Sequence, residues 1–181
     1  MGSSSARLIL ILTAWSSGYA DDNEVRKAIT AAYASMVTAS MQKDEKAWLS
    51  HIAPGFSGVG QTGRVFSLEQ PPGDSGTTNP SKVLSERYEI QKLSVSGDAA
   101  LVLVHHRELI HLVSRKLNGR NLGLKPDHLV RVDEIMRQVW VKLGQEWKLK
   151  HWDDLSGKIW VDKRMQESWA PDRLMTPEPT H

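Results

Sequence analysis

The stretch from Arg131 to Asp154 most constrains what this chain can fold into. It holds two runs, Arg131–Leu143 and Glu146–Asp154, in which apolar and polar residues alternate, separated by Gly144-Gln145. A period of two places successive side chains on opposite faces of an extended strand. A short Gly-containing break between two such runs is a hairpin signal. Trp140, Trp147 and Trp152 fall within it, so the hairpin carries much of the large apolar area of the chain.

The preceding residues extend the sheet. "AALVLVHHRELIHLV" (Ala99–Val113) reads as a long strand buried on both faces at its start. "RYEIQKLSVSG" (Arg87–Gly97) alternates less regularly and turns at Gly97-Asp98. Phe56–Leu68 reads as two short strands around a glycine turn, and Glu69–Lys82 and "LNGRNLGLKPDH" read as loops. Two helices come first. Asp21, with Glu24 three residues on, is a capping signal. Val25, Ala28, Ile29, Ala32, Tyr33, Met36, Val37 and Met41 then form an apolar stripe of period 3.6. A second helix starts at Asp44, turns Trp48, Leu49 and Ile52 inward and stops at Pro54-Gly55. The expected fold class is α+β: N-terminal helices packed in a strongly curved antiparallel sheet, a cone-shaped α+β barrel closed at one end.

Residues 1–20 read as a secretory signal peptide, with Arg7 ahead of the apolar "LILIL" and small residues at Gly18 and Ala20. That run is far shorter than the roughly 20 residues needed to cross a bilayer. A buried strand or a leader derived from a vector would read similarly. Residues 21–155 are expected to form the barrel domain, and 156–181 a partly disordered extension. The chain is thus expected to be secreted or periplasmic, with no membrane contact after cleavage. It has no cysteine, so the domain must be held by its core rather than by disulfides. Without the leader, 22 basic side chains face 21 acidic ones, with no basic run, which argues against a nucleic-acid partner.

The order of elements is similar to that of the nuclear-transport-factor-2-like superfamily, shared by ketosteroid isomerase and the SnoaL-like polyketide cyclases. The residues that carry the resemblance are "GDAALVLVH" and the closing "VWVKLGQEWKLKHW", within about Asn23–Asp154. It implies a homodimer through the outer face of the sheet, and alternation puts Trp140 and Trp152 on that face as interface residues. The alternative is that Lys158–Trp169 covers them. It also implies a cavity that accepts a small hydrophobic molecule. Isomerase-like members place a general-base carboxylate just after the second helix, yet no Asp or Glu occurs between Ala53 and Leu68. That departure favours binding without catalysis over an isomerase, cyclase or hydratase.

Alternation places Trp147, Leu149, His151 and Asp153 on one face of the last strand, the concave one, since the other face carries lysines. With Ala100 toward the helix, as in the relatives, His106 and Glu108 point into the cone. The resemblance adds Tyr33, on the first helix where isomerase-like members keep a tyrosine that donates to the substrate oxygen, and the second helix turns Trp48 inward. The expected ligand pocket is therefore Tyr33, Trp48, His106, Glu108, Trp147, His151 and Asp153, with no catalytic residue assigned. Metal and cofactor sites are not expected. His105 and His106 fall on opposite faces, and His105 and His111 stand about 20 Å apart along a strand. No Gly-x-Ser-x-Gly elbow is present. N-terminal sequencing of exported protein should begin at Asp21; an intact Met1–Ala20 in that material would exclude a cleaved leader.

Overall fold

The computed structural model describes residues 21–61, 63, 65–67, 82–112, 116–117, 120–121 and 128–169. The expected leader, most of the loop before Lys82 and the tail beyond Trp169 lie outside the described residues.

Helix α1 (Asp22–Gln42) starts where Asp21 accepts a hydrogen bond from the Asn23 backbone N–H at 3.0 Å. Asp22 and Glu24 in its first turn suit the positive end of the helix dipole. It ends at Lys43, which adopts the left-handed conformation (φ 58°) while the Asp44 N–H returns to the Ala39 carbonyl. Val25, Ile29, Ala32, Tyr33, Met36 and Ala39 are buried. Ala28 and Met41, expected on the same stripe, are exposed. Asp44 caps α2 (Glu45–Leu49) by accepting from the Ala47 N–H. This helix is shorter than expected, because Ile52 already opens the first strand.

The strands are β1 (Ile52–Val59), β2 (Val65–Ser67), β3 (Lys82–Ser96), β4 (Ala99–Leu112), β5 (Lys116–Leu117), β6 (Arg120–Asn121), β7 (His128–Leu143), β8 (Glu146–Val161) and β9 (Arg164–Trp169). The main sheet has the order β2-β1-β8-β7-β4-β3, with β9 also on β8, and β5 and β6 pair separately. The hairpin turns at Gly144 and Gln145 as expected, with Leu143 opposite Glu146. The sheet is mixed rather than antiparallel throughout, since β1 runs parallel to β8. It curls around α1, which lies against β3 and β8, and it does not close. Strand β8 runs through the domain boundary expected at residue 155, and β9 continues the sheet along it. Lys158–Trp169 therefore belongs to the sheet and does not fold over its outer face.

Strand β8 also carries two extra residues relative to β7. Val139 pairs with His151 and Trp140 with Leu149, which leaves Lys150 unpaired; Ile135 pairs with Ser156 and Met136 with Asp154, which leaves Leu155 unpaired. An unpaired residue exchanges the two faces of a strand beyond it. Trp147 and Leu149 point inward as alternation predicts, but after Lys150 the inward positions are Trp152 and Asp154. Trp152 packs with Phe56 and Phe66, its ring centroid 5.1 and 5.3 Å from theirs.

Trp140 is fully buried, edge-on to Tyr33 of α1 at 5.3 Å, because its partner Leu149 faces the core. Neither Trp140 nor Trp152 lies on the outer face, so the interface expected there cannot use them. Trp140→Ala should lower unfolding free energy by about 3–5 kcal/mol, the usual range for emptying a large core site. Urea denaturation measures it, and a loss under about 1 kcal/mol would contradict the core position.

Candidate functional site

The inner face of the sheet carries its polar residues in cross-strand rows. Tyr88 of β3 pairs with His106 of β4, His106 with Glu134 of β7, and Glu134 with Gly157 of β8. One row away, Glu86 pairs with Glu108, and Glu108 with Val132. Asp154 joins from β8 opposite Met136. Four strands thus bring four carboxyl groups around one imidazole.

His106 is buried, and both of its ring nitrogens face carboxylates. Nδ1 lies 2.8 Å from Glu134 Oε1, and Nε2 lies 3.3 Å from Glu86 Oε1. Tyr88 donates to the same Glu86 oxygen at 2.7 Å. The rings of Tyr33, Tyr88 and His106 stack in sequence, with centroids 4.6 and 4.4 Å apart. Tyr33 OH in turn donates to Gln138 Oε1 at 2.6 Å, and Trp140 Nε1 donates to the same oxygen at 3.0 Å. The buried polar atoms of this stack are thereby partnered.

Burial works against charge on His106, but the bonds to Glu134 and Glu86 outweigh it and raise the imidazolium to about 10. Burial also pushes Glu86 up, yet the donors His106 and Tyr88 reverse the effect, and Glu86 lies below the ordinary carboxylate range. Glu108 is raised to about 7, mainly by burial; the positive His106 pulls it down, and the charges of Glu86 and Glu134 add to the rise. Asp154 is also raised to about 7, by burial and then by the charge of Glu134.

These groups surround a cavity of about 170 Å³. Tyr88, His106, Glu108, Glu134 and Asp154 form its polar wall, and Met36, Met136, Leu149, Trp152 and Ile159 its apolar one. An apolar cavity of about 150 Å³ accommodates benzene, so a ligand here is a molecule of that order. Of the expected pocket residues, His106 and Glu108 line it. Tyr33 stands behind Tyr88, Trp147 lies in the core, and Trp48 packs edge-on against Trp152 at 6.4 Å without reaching the lining. His151 and Asp153 do not belong to it, because the extra Lys150 turns them to the outer face. Glu86, Tyr88, Glu134, Gln138 and Asp154 were not expected. The signal for two of them lies in β7, where Val130, Val132, Glu134, Met136, Gln138 and Trp140 share one face and only Glu134 and Gln138 are polar. Among the described residues, no cluster of His, Asp and Glu has the arrangement needed to hold a metal ion.

The site predicts a pH profile of stability. His106, Glu108 and Asp154 all hold protons more tightly in the folded state than their ordinary values of 6.5, 4.5 and 3.8. Their contribution is fully present below those ordinary values and is lost as pH rises through the folded ones. Urea midpoints should therefore fall between pH 5 and 7 through the two carboxyls, and again toward pH 10 through His106. In His106→Phe the second fall should disappear; if it persists, His106 is not the group responsible.

By sequence, no protein family and no curated protein matches the chain. Solved structures do match its fold. A conserved protein from Planctomyces limnophilus superposes with a TM-score of 0.57 at 10% identity, over 72% of this chain and 94% of the other. A nuclear-transport-factor-2-like superfamily protein from Salmonella enterica serovar Typhimurium gives 0.53 at 18% identity, over 74% and 92%. A similar protein from Cytophaga hutchinsonii gives 0.50 at 14%, over 71% and 95%. The curled sheet, the helix it encloses and these superpositions together show that the chain has the nuclear-transport-factor-2-like fold.

Proposed function

We propose that this protein is an exported acid–base catalyst acting on a small, largely apolar molecule held in the inner cavity. The observation that supports the reading best is a buried imidazole, bonded on both sides to carboxylates, in the same cavity as Glu108 and Asp154. The base that the isomerase-like pattern would put after the second helix is supplied here from neighbouring strands.

The bonding of His106 and the proton affinities of Glu108 and Asp154 support one division of roles. Both N–H groups of His106 are committed to Glu134 and Glu86, so His106 acts as a fixed positive charge rather than as a proton carrier. Its charge is taken up by these two carboxylates, so its part is to hold the polar wall of the cavity in place and to lower the proton affinity of Glu108. Glu108 and Asp154 both exchange protons near neutrality, the range in which a carboxyl can serve as acid or as base. Glu108 takes a proton from the substrate, and Asp154 returns one elsewhere on it. The reaction class is a proton shift, an elimination or a hydration. Binding without chemistry is the second reading, favoured by the apolar wall of Met36, Met136, Leu149 and Ile159.

Cyclohexanone in deuterated water discriminates the two. Its α-protons should exchange faster with the protein than without, and Glu108→Gln should slow that exchange about 100-fold while leaving binding in place. If cyclohexanone binds and exchanges no faster than in solvent, the cavity is a binding site only. Failure to bind any molecule of this size would overturn both readings.

A further inference from the structure

A second polar cluster lies on the opposite face of the sheet, over the parallel pair β1 and β8. The extra Lys150 turns His151 and Asp153 outward, and the parallel register sets Ser57 of β1 beside His151. The two strands are irregular at the same level. Pairing in β1 lapses between Ile52 and Ser57, where Gly55 takes a φ of 65°, and Lys150 Nζ donates to the Pro54 carbonyl.

Ser57 Oγ lies 2.8 Å from His151 Nδ1, and His151 Nε2 lies 2.8 Å from Asp153 Oδ1. Asp153 Oδ2 accepts from the Arg137 guanidinium, from Nη2 at 2.7 Å and Nε at 3.0 Å. This order of partners fixes the protons. The carboxylate can only accept, so His151 carries its hydrogen on Nε2 and presents the Nδ1 lone pair to the Ser57 hydroxyl. A hydroxyl facing an imidazole lone pair, with the imidazole oriented by a third group, is the arrangement that activates a serine.

We propose that Ser57 is a nucleophile activated by His151 at a second site on the outer face, and that it accepts acyl groups from small activated carboxylic esters. The side chain of His151 is 32% exposed and that of Asp153 14%, so the cluster is reached from solvent while its carboxylate is shielded. The cluster lies outside the inner cavity and is reached from solvent, and esters with a good leaving group are therefore its substrate class. Ser57 Oγ forms a bond to the acyl carbon as its proton passes to Nδ1. The bond from that carbon to the leaving oxygen breaks, and the leaving group takes up the proton. Water, deprotonated by the same Nδ1, then releases the acid and restores Ser57. The site shares no residue with the inner cavity, although the charge of Asp153 is among those that raise Asp154, and the adduct on Ser57 is read separately from proton exchange in the cavity.

The test uses a fluorophosphonate probe and p-nitrophenyl acetate on the full chain. Peptide mass spectrometry should find the phosphonyl adduct on Ser57, and the ester should release p-nitrophenolate in a burst that Ser57→Ala abolishes. His151→Asn should slow both about 100-fold, the usual worth of a positioned base. Asp153→Asn should also slow them, because an amide offers a donor in place of the orienting acceptor. All three positions are on the outer face, and circular dichroism establishes that each variant is folded. No adduct at Ser57, or an adduct that forms as fast without His151, overturns the proposal.

Discussion

One unpaired residue, Lys150, decides which side chains meet in this protein. A strand has two faces and one register, so every residue beyond an insertion changes sides. Before Lys150, strand β8 gives Trp147 and Leu149 to the core. After it, Trp152 and Asp154 enter the cavity, and His151 and Asp153 go to the other face. A regular β8 would put His151 in the cavity and the Trp152 indole in solvent; the outer cluster would not form, and the inner one would lose Asp154. The irregular stretch of β1 opposite Lys150, and the bond from its ammonium to the Pro54 carbonyl, hold the insertion in place.

The second constraint is the cost of enclosing charge. Taking one ion out of water costs several kcal/mol unless it is paired, and this site encloses an imidazolium with four carboxyls. Glu86 and Glu134 neutralise His106 through direct bonds, and the aromatic stack of Tyr33 and Tyr88 holds the imidazole flat between them. Among the described residues, Glu108 and Asp154 have no comparable cation to themselves, and burial lets each keep its proton up to about pH 7. The groups with the strongest partners are the fixed ones, and those left to burial are the ones able to exchange.

The sequence made the fold legible because its signals were periodic. The stripe on α1, the Asp21 and Asp44 caps and the hairpin around Gly144 each follow from short-range rules, and each is present. His106 and Glu108 were also legible, since β4 is regular against β7 and alternation survives along it. The residues around them were not. Glu86 and Glu134 reach His106 through pairing between strands distant in sequence, and no spacing in one strand reports that. The errors at Trp140, Trp152, His151 and Asp153 have one source, an alternation carried across the hairpin without the pairing and the insertion that reassign it. Ser57 gives no signal in the sequence, because it sits in a strand rather than in a strand-to-helix elbow and its partners lie far along the chain.

The edge of β8 has a consequence for time. One stretch of that edge pairs with β1 and the next with β9, so the first and last strands of the sheet lie end to end along the same strand. Ile52 and Ser57 find their partners only once Leu149 and His151 have been made, and β9 follows later still. Contacts this distant in sequence close large loops and form late. During synthesis α1 can pack on the β3–β4 pair, but β1 has no partner besides β2 until β8, in the final third of the chain, is complete. The insertion at Lys150 and the parallel pairing beside it are thus among the last features to set, and the outer cluster comes into being at the end of folding.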